Sequence, residues 1–221
     1  MKQFSYLVFD LDGTLIDSSV GVVDAVNYSL KMMNQPEQPP ERIARFIGFP
    51  LSHMYREFTQ ASVEQLRRHF HSRAAEVMVA SAVVLDGVPE TLEQLHRVGY
   101  KMAIATTKIR RHVEGIVEKN GWGRFFDALV ASDEVVNVKP APDALRLAVE
   151  RLGATPQRAI VVGDTINDVH AAHAVPMKVI AVESPYGGLV ELKGSQPDYL
   201  IRELSELPQL LDMMNGQKSE M

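Results

Sequence analysis

Five short runs of uninterrupted apolar residues constrain the fold of this 221-residue chain more than any other feature of its sequence. The runs are YLVF at 6–9, MAIA at 102–105, ALVA at 128–131, AIVV at 159–162 and VIAV at 179–182. None of them alternates between apolar and polar residues, as a strand with one solvent-facing side would. Continuous runs are typical of strands that are buried on both faces of a parallel sheet.

Helical patterns lie between the later runs. Apolar residues recur at helical spacing over 88–98, 109–117 and 145–152, and a glycine follows each stretch. Glycine is common where a helix ends, because it adopts the left-handed conformation without strain. Strands that alternate with helices predict an α/β fold, whose core is a doubly wound, mostly parallel sheet.

A long interval interrupts this alternation after the first run. Residues 16–82 separate the first strand from the rest of the pattern, whereas a strand-to-helix connection is normally a few residues long. The interval carries helical stripes and no strand pattern. We therefore predict an inserted helical cap domain at 16–82 and an α/β core domain built from 1–15 and 83–221. Such an insert could act as a lid over a site, and the alternative is a plain helical elaboration of the core.

Composition excludes several classes of protein. The chain has no cysteine, which rules out disulfides, a thiol nucleophile and cysteine metal sites. Its formal net charge of −5 disfavours a sequence-independent binder of nucleic acid. No stretch is apolar enough to span a membrane, and the acidic residues near the N-terminus are unlike a signal peptide. We expect a cytoplasmic protein that binds neither nucleic acid nor membranes.

Polar residues follow the predicted strands at their carboxyl ends, the edge at which open parallel sheets bind ligands. These residues are Asp10, Asp12, Thr106, Thr107, Lys139, Asp164 and Asp168. Clustered carboxylates raise one another's pKa unless a cation lies between them. Oxygen ligands without histidine or cysteine suit Mg²⁺, which pairs readily with a substrate phosphate. The lysine, the Thr106 hydroxyl and free backbone amides would hold the phosphoryl group.

The first two aspartates are candidates for the chemistry itself. In a chain without cysteine and without a G-x-S-x-G motif, the obvious nucleophile is a carboxylate on a strand end, and Asp10 comes first there. Asp12 points the same way in an extended chain, because side chains two residues apart share a face. It could protonate the leaving oxygen and then activate water.

Four segments of the sequence resemble the four motifs of the haloacid dehalogenase (HAD) superfamily. They are DLDGTL at 10–15, ATT at 105–107, KP at 139–140 and GDTIND at 163–168. The first motif is highly specific, and the order of the four spans nearly the whole chain. The helical insert directly after the first motif resembles the α-helical cap of the phosphoglycolate phosphatase-like group. The resemblance implies a Rossmann-like HAD core with that cap.

The resemblance also implies roles for the matching residues. Asp10 would become an aspartyl-phosphate, and Asp12 would be the general acid and base, with its backbone carbonyl as a Mg²⁺ ligand. Asp10 and Asp164 would hold the metal through their carboxylates. Asp168 would lie beside it or in its second coordination sphere.

The phosphoryl group has its own predicted partners. The resemblance implies that Thr106 and Lys139 hold the phosphoryl oxygens, and that the amide of Thr107 assists them. Many relatives have asparagine where Thr107 stands, and a backbone donor tolerates that difference.

The sequence gives less information about the residues that determine substrate specificity. Arg45, Phe49 and His53 border the glycine turn of the cap and are candidates for contacts with the substrate. Lys108 and the arginines that follow it could meet a substrate carboxylate, or could form a solvated helix face.

The motifs favour a phosphatase over the other activities of the family. Asp12 argues for phosphate chemistry, because a dehalogenase releases no alkoxide and so needs no acid to protonate one. The cap loop IGFPLS at 47–52 lacks the arginine with which β-phosphoglucomutase-type enzymes grip a second phosphate. We predict a Mg²⁺-dependent hydrolase of a small phosphorylated metabolite, phosphoglycolate first. A phosphosugar mutase, an inorganic pyrophosphatase and a phospho-accepting signalling switch are the alternatives, and the chain would be a monomer or homodimer.

Overall fold

A parallel sheet of six strands forms the centre of the structure, a computed structural model that describes residues 2–184, 186 and 188–216. The strands of the described chain are β1 (Tyr6–Phe9), β2 (Ile16–Asp17), β3 (Val83–Val84), β4 (Lys101–Ala105), β5 (Phe126–Val130), β6 (Ala159–Gly163), β7 (Lys178–Val182) and β8 (Tyr199–Ile201). The order in the sheet is β5-β4-β1-β6-β7-β8, and all its pairings are parallel. The five apolar runs coincide with β1, β4, β5, β6 and β7, which confirms the predicted fold class.

Both faces of the sheet are covered, which explains why its strands are apolar without alternation. Leu7 and Phe9 of β1 belong to a core on one face, together with Leu92. Val8, between them, belongs to the core on the other face, together with Leu145. Successive side chains of one strand therefore enter two separate cores.

Ten helices complete the described chain. They are α1 (Ser19–Met32), α2 (Pro40–Ala44), α3 (Leu51–Phe58), α4 (Val63–Ser81), α5 (Val88–Val98), α6 (Arg110–Lys119), α7 (Asp143–Arg151), α8 (Ile166–Ala174), α9 (Leu189–Gly194) and α10 (Leu207–Gly216). Buried residues of α5, α6 and α10 line the first face of the sheet, and those of α7, α8 and α9 line the second. None of these helices has the length and apolar character needed to cross a membrane.

The first four helices form the insert and share a hydrophobic cluster of their own. Tyr55, Leu66 and Met78 are buried in this cluster, and α1 packs along α4. The core contributes one aromatic ring to it, that of Tyr186, which comes after β7. The tyrosine hydroxyl accepts a hydrogen bond from the backbone amide of Ser18 at 2.8 Å. This contact ties the start of the insert to the core.

An antiparallel ribbon of β2 and β3 joins the insert to the core. Ile16 pairs with Val84, and the side chain of Ile16 packs into the core on the first face of the sheet. Lys119 of α6 donates hydrogen bonds to three backbone carbonyls at the end of α4 and just beyond it, at 2.9–3.1 Å. The predicted boundaries at 15/16 and 82/83 fall in this ribbon, and the division into two domains stays a prediction.

Candidate active site

The strand order brings the ends of β4, β1 and β6 side by side. Asp10 follows β1, Thr106 follows β4 and Asp164 follows β6, and β1 lies between the other two strands. The backbone hydrogen bonding between β1 and β6 continues one residue past β1, because the amide of Asp10 donates to the carbonyl of Val162 at 2.8 Å. Three residues that the sequence places far apart are therefore neighbours at one edge of the sheet.

Lys139 is the centre of a buried ionic network. Its Nζ lies 2.7 Å from Oδ1 of Asp10 and 2.6 Å from Oδ1 of Asp168. The other oxygen of Asp168 accepts hydrogen bonds from the amide and the hydroxyl of Thr165, at 3.1 and 2.7 Å. Asp168 therefore binds the lysine through one oxygen and is held by Thr165 through the other, and the lysine in turn contacts Asp10.

Three buried carboxylates form a cluster with the spacing of a metal site. Asp10, Asp164 and Asp168 each offer an oxygen within 4.8 Å of the others. Oδ1 of Asp164 accepts a hydrogen bond from the hydroxyl of Thr14 at 3.0 Å. Its Oδ2 is buried, and within the described chain it has no hydrogen-bond partner. A buried oxygen without a partner is costly, so this atom suits a cation.

Gly13 allows the first motif to approach this cluster. Its φ is +84°, and a Cβ at this position would lie 2.1 Å from Oδ2 of Asp164. Only glycine tolerates both that conformation and that distance. The first motif therefore packs directly against the unpartnered oxygen of Asp164.

The buried cluster contains three carboxylates and only one lysine, so its negative charge is not balanced. Burial raises the pKa of Asp10 to about 7; Lys139 opposes this rise and the carboxylates of Asp168 and Asp12 add to it. Burial also raises the pKa of Asp164 well above its usual value, and Asp10 and Asp168 add to the rise. Burial alone would lower the pKa of Lys139, but Asp10 and Asp168 outweigh it and raise this pKa. The cluster fits a divalent cation with oxygen ligands, such as Mg²⁺.

Asp12 lies outside this cluster and has different partners. Its Oδ1 accepts a hydrogen bond from the hydroxyl of Ser18, and it lies 3.1 Å from Nζ of Lys108. Lys108 is buried, so it does not belong to a solvated helix face, whereas Arg111 is exposed. Arg110 pairs with Glu134. Of these three basic residues, only Lys108 contacts a carboxylate of the first motif.

The two threonines after β4 occupy different places. Thr106 is buried, and its Oγ1 accepts a hydrogen bond from the amide of Lys108 at 3.2 Å. Thr107 lines a cavity of about 430 Å³ between the cap and the core. Asp12 lines the same cavity, so this space begins at the first motif.

The cap meets the core at a glycine turn. Nδ2 of Asn167, in the first turn of α8, donates to the carbonyl of Gly48 at 3.3 Å. Gly48 has a φ of +87°, and a Cβ there would lie 2.8 Å from the methyl group of Thr165. The turn separates two cavities. Phe49 borders both of them, whereas Arg45 borders only the second, beside Asp164.

Several residues near the site escape sequence reasoning. Ser18 and Thr14 bind carboxylates of the motifs, but a serine or threonine close to a motif carries no signal by itself. His71 and His112 line the larger cavity from α4 and α6. His71 is two residues from His69 on a helix, which predicts only that the two face apart. His53, which the sequence did single out, stacks on Phe49 with ring centroids 5.6 Å apart and lines neither of the two cavities.

Comparison with known proteins establishes the family. A family model described as haloacid dehalogenase-like hydrolase matches residues 7–182. The chain therefore belongs to the haloacid dehalogenase-like hydrolases.

Individual relatives agree with this assignment. Pyrophosphatase PpaX from Bacillus velezensis is 34% identical over 212 residues, which are 93% of this chain and 95% of that protein. A predicted phosphatase from Clostridium acetobutylicum has a crystal structure that superposes with a TM-score of 0.86 at 29% identity, over 95% of this chain and 99% of that one. The crystal structure of a predicted phosphoglycolate phosphatase from Haemophilus somnus superposes with a TM-score of 0.85 at 25% identity, over the same shares of the two chains. The chain is an enzyme that hydrolyses phosphate esters, as its motifs predict.

Proposed function

We propose that the chain is a Mg²⁺-dependent phosphatase that cleaves a small phosphorylated metabolite through an aspartyl-phosphate on Asp10. The observation that supports this most is the buried cluster of Asp10, Asp164 and Asp168 beside Lys139. Asp10, Asp164 and the backbone carbonyl of Asp12 would hold the metal. When bound, it would neutralise the carboxylates and the phosphoryl oxygens and so permit attack by an anion.

The first step transfers the phosphoryl group to the enzyme. A carboxylate oxygen of Asp10 attacks the phosphorus, and the bond between phosphorus and the leaving oxygen breaks. Asp12, protonated at this stage, gives its proton to the leaving oxygen, which departs as an alcohol. Lys139 and the hydroxyl of Thr106, together with the amide of Thr107, bind the phosphoryl oxygens as charge develops on them.

The second step releases phosphate. Asp12, now a carboxylate, takes a proton from water, and the oxygen of that water attacks the phosphorus of the acyl phosphate. The bond from phosphorus to Asp10 breaks and restores the Asp10 carboxylate. Asp168, which is itself held by Thr165, keeps Lys139 in place in both steps.

Phosphoglycolate is the proposed first substrate, and pyrophosphate is the second candidate. Structural neighbours named as phosphoglycolate phosphatases support the former. The relatives named pyrophosphatase PpaX support the latter, because they match the chain over nearly its full length. The cap loop without arginine supports a hydrolase over a mutase. A cytoplasmic location and a monomeric or homodimeric state stay predictions.

The test compares Asp10→Asn with the wild type and with Asp212→Asn, which removes an exposed carboxylate from α10. With Mg²⁺ and p-nitrophenyl phosphate, Asp10→Asn should keep the fold by circular dichroism but lose more than about 99% of kcat, whereas Asp212→Asn keeps it. EDTA should silence the wild type and Mg²⁺ should restore it. Activity that is retained in Asp10→Asn, or in the wild type after treatment with EDTA, would refute the proposal.

A further inference from the structure

The cavity of about 430 Å³ between cap and core lies on the leaving-group side of the proposed reaction. Asp12 lines this cavity, whereas Asp164 lines the cavity on the other side of the Gly48 turn. Because the general acid must touch the leaving oxygen, the leaving group has to enter the space that Asp12 borders. The residues of this cavity are therefore the ones that meet the part of the substrate beyond the phosphorus.

Four basic side chains line that space. Arg67 and His71 lie one turn apart on α4 of the cap. Lys108 lies two residues before α6 and His112 lies in its first turn, and α6 packs against α4. Within the described chain, the guanidinium group of Arg67 has no ion pair, although several other arginines do.

Both histidines hold a buried ring nitrogen without a partner. Nε2 of His112 and Nδ1 of His71 have no hydrogen-bond partner in the part of the chain that the structure describes. His112 is only 3% exposed, so bulk water does not satisfy its ring. Buried polar nitrogens in native proteins nearly always have partners, so these two ring nitrogens are available to a group that enters the cavity.

The acidic side chains at this cavity are already occupied. Asp12 is paired with Lys108. Asp133 accepts a hydrogen bond from the amide of Arg110 at 2.8 Å, and its charge partly offsets the burial that lowers the pKa of His71. Burial lowers the pKa of His112 to about 4, and the charges of Lys108 and Arg111 lower it further. Burial is the larger cause of this low pKa, and the nearby cations Lys108 and Arg111 add a positive contribution that would favour an anion.

We propose that this cavity is a subsite for a second anionic group on the substrate, bound by Arg67, His71 and His112, with Lys108 next to the leaving oxygen. The inference rests on the proposed phosphatase function and narrows its substrate to phosphate compounds with a negatively charged leaving group. A carboxylate and a second phosphate share this chemistry. Phosphoglycolate carries the first and pyrophosphate carries the second.

The first arm of the test measures substrate choice in the wild type. Phosphoglycolate is compared with 2-hydroxyethyl phosphate, which has the same carbon chain and a neutral hydroxyl in place of the carboxylate. Pyrophosphate is compared with methyl phosphate in the same way. The subsite predicts a kcat/KM at least about tenfold higher for one anionic compound of these pairs than for its neutral counterpart. The preferred pair tells whether the subsite takes a carboxylate or a phosphate.

The second arm assigns the preference to the named residues. Arg67→Met and His71→Leu should each reduce the ratio of anionic to neutral substrate by about tenfold, and leave kcat/KM for the neutral compound within a few-fold. Arg68→Met and His69→Leu are matched controls, because they change the neighbours on α4 that do not line the cavity. The controls should keep the wild-type ratio.

Either of two results would overturn the subsite. One is a wild type that cleaves neutral and anionic compounds equally well, and the other is a preference that survives both cavity variants. Failure of the phosphatase proposal is distinguishable, because Mg²⁺-dependent cleavage of p-nitrophenyl phosphate by Asp10 would then be missing altogether. An enzyme that cleaves this ester but shows no anion preference contradicts the subsite alone.

Discussion

Nζ of Lys108 lies 3.1 Å from Oδ1 of Asp12, and both side chains are almost fully buried where the cap meets the core. The hydroxyl of Ser18 donates a hydrogen bond to the same oxygen. This hydrogen bond and the ion pair with Lys108 together hold the orientation of the carboxylate. In the proposed mechanism, the remaining oxygen, Oδ2, would be the one that exchanges a proton with the leaving group and with water.

Asp12→Asn should separate the two steps. An amide neither protonates a leaving group nor takes a proton from water, so hydrolysis of the acyl phosphate should slow by roughly 10²–10⁴-fold. The first step needs less help when the leaving group is p-nitrophenolate. Stopped-flow measurement should therefore show a burst of one nitrophenol per enzyme, followed by slow turnover. Asp10→Asn is the control and should show no burst; a variant Asp12→Asn without a burst would contradict the assigned role.

Sequence patterns were sufficient to predict the framework of the site. Buried parallel strands are continuous apolar runs, so the ends of β1, β4 and β6 could be located, and with them Asp10, Thr106 and Asp164. Strand β8 was missed, because it has three residues and its first, Tyr199, is exposed at the sheet edge. The ribbon of β2 and β3 was missed for the same reason, since two residues show no period.

The partners of the candidate catalytic residues could not be predicted in the same way. Lys108 is 96 positions from Asp12 in the sequence, and only the alignment of β4 beside β1 brings the two together. A lysine at the start of a helix is equally compatible with a solvated face. For His71, helical spacing shows that it faces away from His69. The pattern does not show which of the two faces a cavity.

Gly13→Ala should weaken metal binding. The added Cβ would lie 2.1 Å from Oδ2 of Asp164, and the backbone φ of +84° disfavours alanine. Displacing one ligand should raise the Mg²⁺ concentration for half-maximal activity by roughly 10–100-fold. Gly123→Ala is the matched control, because no heavy atom lies within 4 Å of its new Cβ. An unchanged Mg²⁺ requirement in a folded Gly13→Ala enzyme would show that Asp164 does not bind the metal through this oxygen.

Phe49 and Lys139 should differ in how they affect substrate choice. Phe49 borders the cavity of the leaving group, so Phe49→Ala should change the ranking of phosphate esters by roughly 1–3 kcal/mol in transition-state free energy. Lys139→Ala should reduce kcat/KM for all esters alike, because each presents the same phosphoryl group. Arg45 borders only the other cavity, so Arg45→Ala should change the ranking less than Phe49→Ala. The measurement is kcat/KM for a panel of esters, and a selective effect of Lys139→Ala would reverse this division.

His112 should make the folded protein sensitive to acid. Burial, Lys108, Arg111 and His71 lower its pKa from 6.5 to about 4, and the carboxylate of Asp12 opposes them. Between these two pH values the unfolded chain binds a proton that the folded chain does not, so the free energy of unfolding falls as the pH falls. The loss reaches at most about 1.4 kcal/mol for each pH unit, and it is absent above the unfolded pKa.

The clearest measurement compares the wild type with His112→Asn in urea unfolding at pH 4–8, without phosphate in the buffer. The raised pKa of Asp10 acts in the opposite direction, but both proteins share it, so it cancels in the difference. The wild type should lose stability relative to the variant below pH 6.5, and the difference should be constant above pH 7. A difference that does not change over the whole range would mean that His112 takes up a proton in the folded protein as easily as in the unfolded one.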